Sequence, residues 1–229
     1  MLASAPKKRQ SDTAYEGLRT AIIRADLKPG SPINERECME MLSVGRTPLR
    51  EALQRLAQED LVLSVPQRGY FVSATSASDF FHLHEFRLQS EILSVRMAAV
   101  RITQAQLAEF AALMSEARAG VDERQPDINW HLGIDERMHR LVAQASGNHY
   151  LAQALTRLYA LSVRSLYVSH MPVTLMQDEL DNFDAIRSAL EAHDPDRAER
   201  AMRDHLTISG VVDVVRPAKV PPARQTTEA

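Results

Sequence analysis

Between Asp12 and Ser73 the chain sets three short helical patterns in a row and follows them with two strand-like runs, an order that few folds satisfy. In the first pattern Tyr15, Leu18, Ile22 and Ile23 recur at helical spacing and stop before Leu27-Lys28-Pro29-Gly30, a turn signature. The second starts at Asn34, where Asn34 and Glu37 fit the N-cap and N3 positions of a capping-box-like start; it is expected to bury Met39 and Leu42 and to stop near Ser43. The third runs through Leu49, Leu53 and Leu56 to about Glu59, with Gly45 or Thr47 as N-cap and Pro48 tolerated only in the first turn. Leu61-Val62-Leu63-Ser64-Val65 and Tyr70-Phe71-Val72-Ser73 then flank Pro66-Gln67-Arg68-Gly69 and read as a β-hairpin. Together these segments predict a winged helix-turn-helix over residues 11–75.

Beyond Ser76 to Ser78 the patterns are all helical. The spacing predicts six helices at about 78–101, 103–118, 128–145, 149–169, 174–192 and 195–212. Cap signals support their starts: Thr103 with Gln106, Thr174 with Gln177, and Asp194 before Pro195; Gly147 suits a helix end. The fold class is therefore mainly α, a winged helix-turn-helix with a small hairpin wing followed by an all-α bundle over 76–215. The Pro-rich, polar segment RPAKVPPARQTTEA predicts a disordered tail over 216–229. A single cysteine, Cys38, excludes an intrachain disulfide, and no apolar run reaches the roughly 18 residues that span a bilayer. The basic N-terminus lacks an apolar signal stretch, so a cytoplasmic protein without membrane contact is expected.

The net charge of −3 divides unevenly, with about +2 before residue 76 and −5 after it. A surplus this small is no proof of nucleic-acid binding, but the placement of the arginines is more telling. Arg46 and Arg50 are four apart at the start of the third helix, on the face opposite Leu49, Leu53 and Leu56. In a helix-turn-helix that end meets base edges, and arginine can donate two hydrogen bonds to guanine O6 and N7. Thr47 would bond a phosphate or meet a thymine methyl, and Arg36 would reach the phosphate backbone. Arg68 and Gly69, at the wing tip, would enter the minor groove or touch its phosphates. An Arg-x-x-x-Arg pair on any amphipathic helix is usually just a solvated face; here the order of elements around it favours double-stranded DNA.

The run LKPG, INERE, VGRTPLREALQRLAQEDLV and RGYFV resembles the winged-helix domain of the GntR family of bacterial transcription regulators. Gly45 stands where the family usually has Ser, and Asp60 where Gly commonly follows the recognition helix. The second half, through HEFRLQSE, DERMHRLVAQASGN and AMRDHL, resembles the FCD effector domain of the FadR-like branch, in its shorter six-helix VanR-like form. The resemblance implies a dimeric regulator, here expected to be a repressor, that responds to a small organic acid. It also implies a divalent metal held by Asp and three His.

Asp135 and His139 share a helix face with Leu132 and Val142, and His205 lies on the stripe of Ala198, Met202 and Ile208. Polar groups on apolar stripes need partners, and a shared ion would satisfy all three; mutual pairing of Asp135 and His139 would serve as well. The family's remaining histidine aligns with Phe183, which cannot coordinate a metal. Asp135, His139 and His205 would then form a three-ligand site for Zn, Ni or Mn, completed by water or an effector carboxylate. Arg87, in the family's Glu-x-Arg position, would bind that carboxylate or pair with Glu91 one turn on. Asn148 reads as a helix cap, and His82, His84, His131, His149, His170 and His193 as mostly surface positions. A competing reading is a metal-dependent hydrolase with Glu136 as base. It lacks an HExxH motif, a Gly-rich phosphate loop and a Ser/His/Asp signature.

Overall fold

A computed structural model of the chain describes residues 9–124, 127–169 and 176–208. Helix α1 spans Gln10–Ile23, α2 Glu35–Leu42 and α3 Arg46–Gln58; strands β1 (Val62–Val65) and β2 (Gly69–Val72) follow. Asn34 caps α2 by accepting hydrogen bonds from the backbone N–H of Arg36 and Glu37, and its amide donates to Glu37 Oε1 at 2.8 Å. Caps of this kind contribute about 1 kcal/mol. Gly45 is the N-cap of α3 and offers no side-chain cap, while Pro48 sits within its first turn. The sequence expectation that α2 buries Met39 and Leu42 is corrected: both are half-buried, and Cys38 takes the fully buried position.

The packing of α3 on α1 makes the small domain's core. Leu49, Ala52, Leu53 and Leu56 on α3 and Ala14, Leu18 and Ile22 on α1 are wholly shielded from solvent. Each buried leucine or isoleucine is worth roughly 1.5–3 kcal/mol. The helix ends at Asp60, which adopts a left-handed φ of 59° while the Leu61 N–H reaches back to the Leu56 carbonyl. β1 and β2 pair antiparallel in the register Val62 with Val72 through Val65 with Gly69. Gly69, with φ 89°, starts β2 in a conformation an L side chain rarely adopts. The α1–α2 connection runs beside β2, with Gly30 N–H donating to the Val72 carbonyl and Ile33 N–H to that of Tyr70.

The helical domain comprises α4 (Ala77–Arg101), α5 (Gln104–Arg124), α6 (Ile128–Ala145), α7 (His149–Ser169), α8 (Met176–Glu191) and α9 (Pro195–Ile208). A reciprocal capping box of Ser76 and Asp79 starts α4, Thr103 and Gln106 cap α5, and Asp194 caps α9. Thr174, the continuation to residue 212 and the tail over 216–229 lie outside the described residues. The main core joins α4, α5, α6, α8 and α9 around Phe110, Met114, Ile134, Met138, Phe183, Ile186 and Met202. Trp130 lies so close to Gly120 that a Cβ there would fall 2.2 Å from the indole, so only glycine allows α5 and α6 this contact. Helix α7 has its own clusters, packing Tyr159 and Val163 with Leu132 of α6 and Ile23 of α1. It thereby joins the bundle to the winged helix. Among the described residues no helix is long and apolar enough to cross a membrane.

Candidate functional site

Two groups of side chains stand out, one on the winged helix and one inside the bundle. On the first, Arg46, Thr47 and Arg50 project from the start of α3, all exposed, as are Arg36 on α2 and Arg68 and Gly69 in the wing. Arg50 is held by Glu35 at the start of α2: its Nε donates to Oε2 at 3.0 Å and its Nη2 to Oε1 at 3.2 Å. Arg46 Nε lies 3.8 Å from the same Glu35 Oε2. One carboxylate thus organises both arginines that the sequence assigns to base recognition. Arg36 pairs with Glu40 one turn on, and the Arg68 guanidinium lies over the Phe71 ring at 5.6 Å.

Inside the bundle, α4, α6, α7, α8 and α9 bring Arg87, Glu91, Asp135, His139, Tyr159, Glu179, Phe183 and His205 together. His139 Nε2 and His205 Nε2 are 3.1 Å apart, and Asp135 Oδ1 lies 3.6 Å and 3.4 Å from them. Ligand atoms about 2.0–2.2 Å from one small cation lie roughly 3–3.5 Å from each other, so this triad has the spacing of a metal face. Asp135 Oδ1 is buried and makes no hydrogen bond, an orphaned acceptor of the kind a cation would satisfy. Asp135 Oδ2 instead shares the Tyr159 hydroxyl with the Leu132 carbonyl, each at 2.9 Å. Phe183 is fully buried and sets its ring edge against His205 at 5.3 Å, forming an apolar wall to the triad.

Of the two partners in view from the sequence, Arg87 faces Glu91, and it also reaches His139. Its Nε is 3.4 Å from Glu91 Oε1 and its Nη2 3.1 Å from His139 Nε2, with the guanidinium 5.0 Å above the Tyr159 ring. Burial would raise the Asp135 carboxyl, but the neighbouring His139, His205 and Arg87 hold it far below the ordinary range. Glu91 behaves alike: wholly buried, it is kept ionised against that burial by His139 first and Arg87 after. Burial and the neighbouring Asp135 charge push the Tyr159 hydroxyl well up, so it stays a donor.

Besides Tyr159, three residues in and around this cluster do not read from the sequence as site residues. In the sequence Glu91 reads only as a partner for Arg87, Glu179 carries no signal, and His131 reads as a surface position. His131 is instead buried, its Nε2 3.9 Å from Glu179 Oε1, and burial pushes its imidazole down. Each stands one turn from a residue already singled out: Glu91 from Arg87, His131 from Asp135, Glu179 from Phe183. Glu136, the supposed hydrolytic base, accepts a hydrogen bond from Arg19 of α1 at 3.0 Å. Asn148 caps α7 through Leu151 N–H, as expected.

A cavity of about 360 Å³ opens between the domains, lined by Tyr15, Arg19 and Thr20 of α1 and by Glu136, His139 and Tyr159. Arg157 of α7 pairs with Asp60, and the buried Arg164 donates to the Ser73 carbonyl at 3.3 Å. A winged helix with exposed arginines at the start of α3 is thus tied to a helical bundle with a buried polar site.

Comparison with known proteins makes the assignment specific. Residues 10–72 match the model of the bacterial regulatory proteins of the gntR family, and residues 82–207 match the FCD domain. The chain belongs to the GntR family of transcription regulators, with an FCD domain as its second half. It is 31% identical to the HTH-type transcriptional repressor RspR of Escherichia coli (strain K12) over 88% of this chain and 87% of that protein. It is 30% identical to the HTH-type transcriptional repressor GlaR of the same organism over 84% of this chain and 90% of that one. Among solved structures, E. coli McbR/YncC superposes with a TM-score of 0.77 at 17% identity, covering 92% of this chain and 100% of that one, a likeness of fold. As a member of this family the chain is a DNA-binding regulator and not an enzyme, which sets aside the hydrolase reading.

Proposed function

We propose that the protein is a homodimeric, cytoplasmic repressor that releases its operator when a small carboxylate binds at a divalent metal centre in the FCD domain. The observation that carries this reading is the adjacency of Asp135 and Glu136 on α6. One belongs to the buried Asp135–His139–His205 triad, and the other bonds Arg19 on the helix against which α3 packs. A ligand that moves α6 therefore acts on the winged helix through one turn of backbone.

Charge balance supports a divalent ion. Among the described residues, Glu91, Asp135 and Glu179 bring three carboxylates into the site and Arg87 brings a guanidinium. With neutral imidazoles a 2+ ion would leave this interior near neutrality, which matters because uncompensated buried charge is costly. Asp135, His139 and His205 would hold the metal, which would supply open positions for an anionic ligand. Arg87, with its guanidinium beside His139 Nε2, would meet the ligand's carboxylate. On the DNA side Arg46 and Arg50 would read bases, with Thr47, Arg36, Arg68 and Gly69 on the backbone and minor groove.

The homodimer reading rests on α4, where Phe86, Leu93 and Val100 recur every seven residues and are 61%, 51% and 66% exposed. Such a stripe suits a second copy across a two-fold axis, matching a two-fold operator. Leu93→Glu should give a monomer by analytical ultracentrifugation and weaken operator binding by about 100-fold or more, because the second half-site contact is lost. A dimer that persists in this variant would point to another interface.

The reading as a whole is tested by fluorescence anisotropy on the DNA upstream of the protein's own gene. Sequence-specific binding is expected, and at least one member of a panel of mono- and dicarboxylates should release it in divalent-metal buffer. Absence of specific binding, or no response to any carboxylate or to chelation, would refute it.

A further inference from the structure

We propose that Glu91 and Glu179 are positioning residues for the metal centre, each holding one imidazole ligand by its Nδ1 side so that both Nε2 atoms face Asp135. Helix α8 would thus support the ion from behind His205 through Glu179. This inference rests on the metal reading proposed above.

The geometry is paired. Glu91 Oε1 lies 2.9 Å from His139 Nδ1, and Glu179 Oε2 lies 3.5 Å from His205 Nδ1. Both glutamates are buried, with side chains 0% and 6% exposed. The opposite ring nitrogens, the two Nε2 atoms, are the ones that converge at 3.1 Å. An imidazole binds a metal through an unprotonated nitrogen, so its proton must sit on the other one, and a carboxylate there fixes tautomer and ring orientation.

For His139 the tautomer follows from Arg87. A guanidinium can only donate, so the 3.1 Å contact from Arg87 Nη2 makes His139 Nε2 an acceptor and leaves the proton on Nδ1, toward Glu91. The 2.9 Å contact is too poorly aligned to satisfy that nitrogen fully, and His205 Nδ1 is likewise left without a hydrogen bond. A turn of each ring onto its carboxylate as Nε2 engages an ion would complete these bonds. On α8, Glu179 stands four residues before Phe183, so both point from the same face: the phenyl ring closes one side of His205 and the carboxylate meets its Nδ1. Neither glutamate needs to touch the metal. Burying them so near histidines, with Arg87 beside Glu91 and His131 beside Glu179, has a purpose if they orient ligands.

The test uses the full chain, stripped with chelator and titrated with Zn(II) by calorimetry and with Co(II) by visible absorption. The wild type should take up one ion per chain, and His205→Ala should abolish saturable uptake. Glu91→Gln and Glu179→Gln, near-isosteric but uncharged, should each weaken binding about 10- to 100-fold and change the Co(II) spectrum. Glu179→Asp, which keeps the charge but withdraws it by one methylene, should fall between. Unchanged affinity and spectrum in both Gln variants, with His205→Ala inactive in uptake, overturns this proposal and leaves the metal centre standing. If the wild type takes up neither ion, the metal reading falls and this proposal with it. Should circular dichroism show that Glu179→Gln does not fold, a Glu179→Asp chain indistinguishable from wild type overturns the proposal.

Discussion

Arg50→Ala should cost roughly 5- to 150-fold in specific operator affinity, the 1–3 kcal/mol of one bidentate base contact, while leaving binding to scrambled DNA nearly unchanged. The side chain is exposed and contributes nothing to the core, since Leu49, Leu53 and Leu56 carry that face of α3. Circular dichroism and melting should therefore match the wild type. Glu35 engages Nε and one N–H of Nη2, so the other Nη2 donor and those of Nη1 are left for a base, and the arginine meets DNA with much of its rotamer freedom already removed. Arg46→Ala should behave similarly, with a smaller loss of order because its contact to Glu35 is longer. Arg36→Ala should instead lower affinity for all sequences and flatten the salt dependence by about one unit of slope, as a phosphate contact would. Footprints unchanged in both Arg46→Ala and Arg50→Ala would remove α3 from the role of recognition helix.

A second large effect is expected at His205. In buffer holding a divalent metal at about 100 times its dissociation constant, the wild type should gain about 2.7 kcal/mol over the chelated protein. For a chain of this size that corresponds to roughly 5–10 °C in melting temperature. His205→Ala should lose that increment, because the triad keeps only Asp135 and His139. In chelator the variant should melt much closer to the wild type. Equal losses in both buffers would mean that His205 serves packing, against Phe183 and Met202, and not an ion.

Local chemistry made most of the architecture legible in advance. Asn34, Thr103, Asp194 and Gly147 mark helix ends because capping is decided within four residues of chain, and all four do so in the fold. The apolar stripes of α3 and α9 likewise identify their buried faces. What sequence spacing does not carry is which faces meet. His131 resembles a solvated histidine until α8 sets Glu179 against it, and Glu91 looks like a plain i+4 partner of Arg87 until α6 brings in His139. The capping box of Ser76 and Asp79 is not among the caps read from the sequence, although its partners stand only three residues apart. Asp60 shows the reverse case. A residue poorly suited to positive φ is held at the end of α3, where its carboxylate pairs with Arg157 across the domain boundary.

That boundary has a consequence for how the operator is chosen. Among the described residues, the hydrogen bonds and ion pairs that join the winged helix to the helical domain include those of Arg19 on α1, Asp60 and Ser73, all away from the Arg46 end of α3. Because α1 and α3 share one core, a shift of α6 would carry the winged helix as a single body. For the proposed dimer, base preference within a half-site and the tolerated separation of two half-sites would thereby be governed by different parts of the molecule. Operators with altered spacing but intact half-sites should be the ones whose ranking a bound effector rearranges.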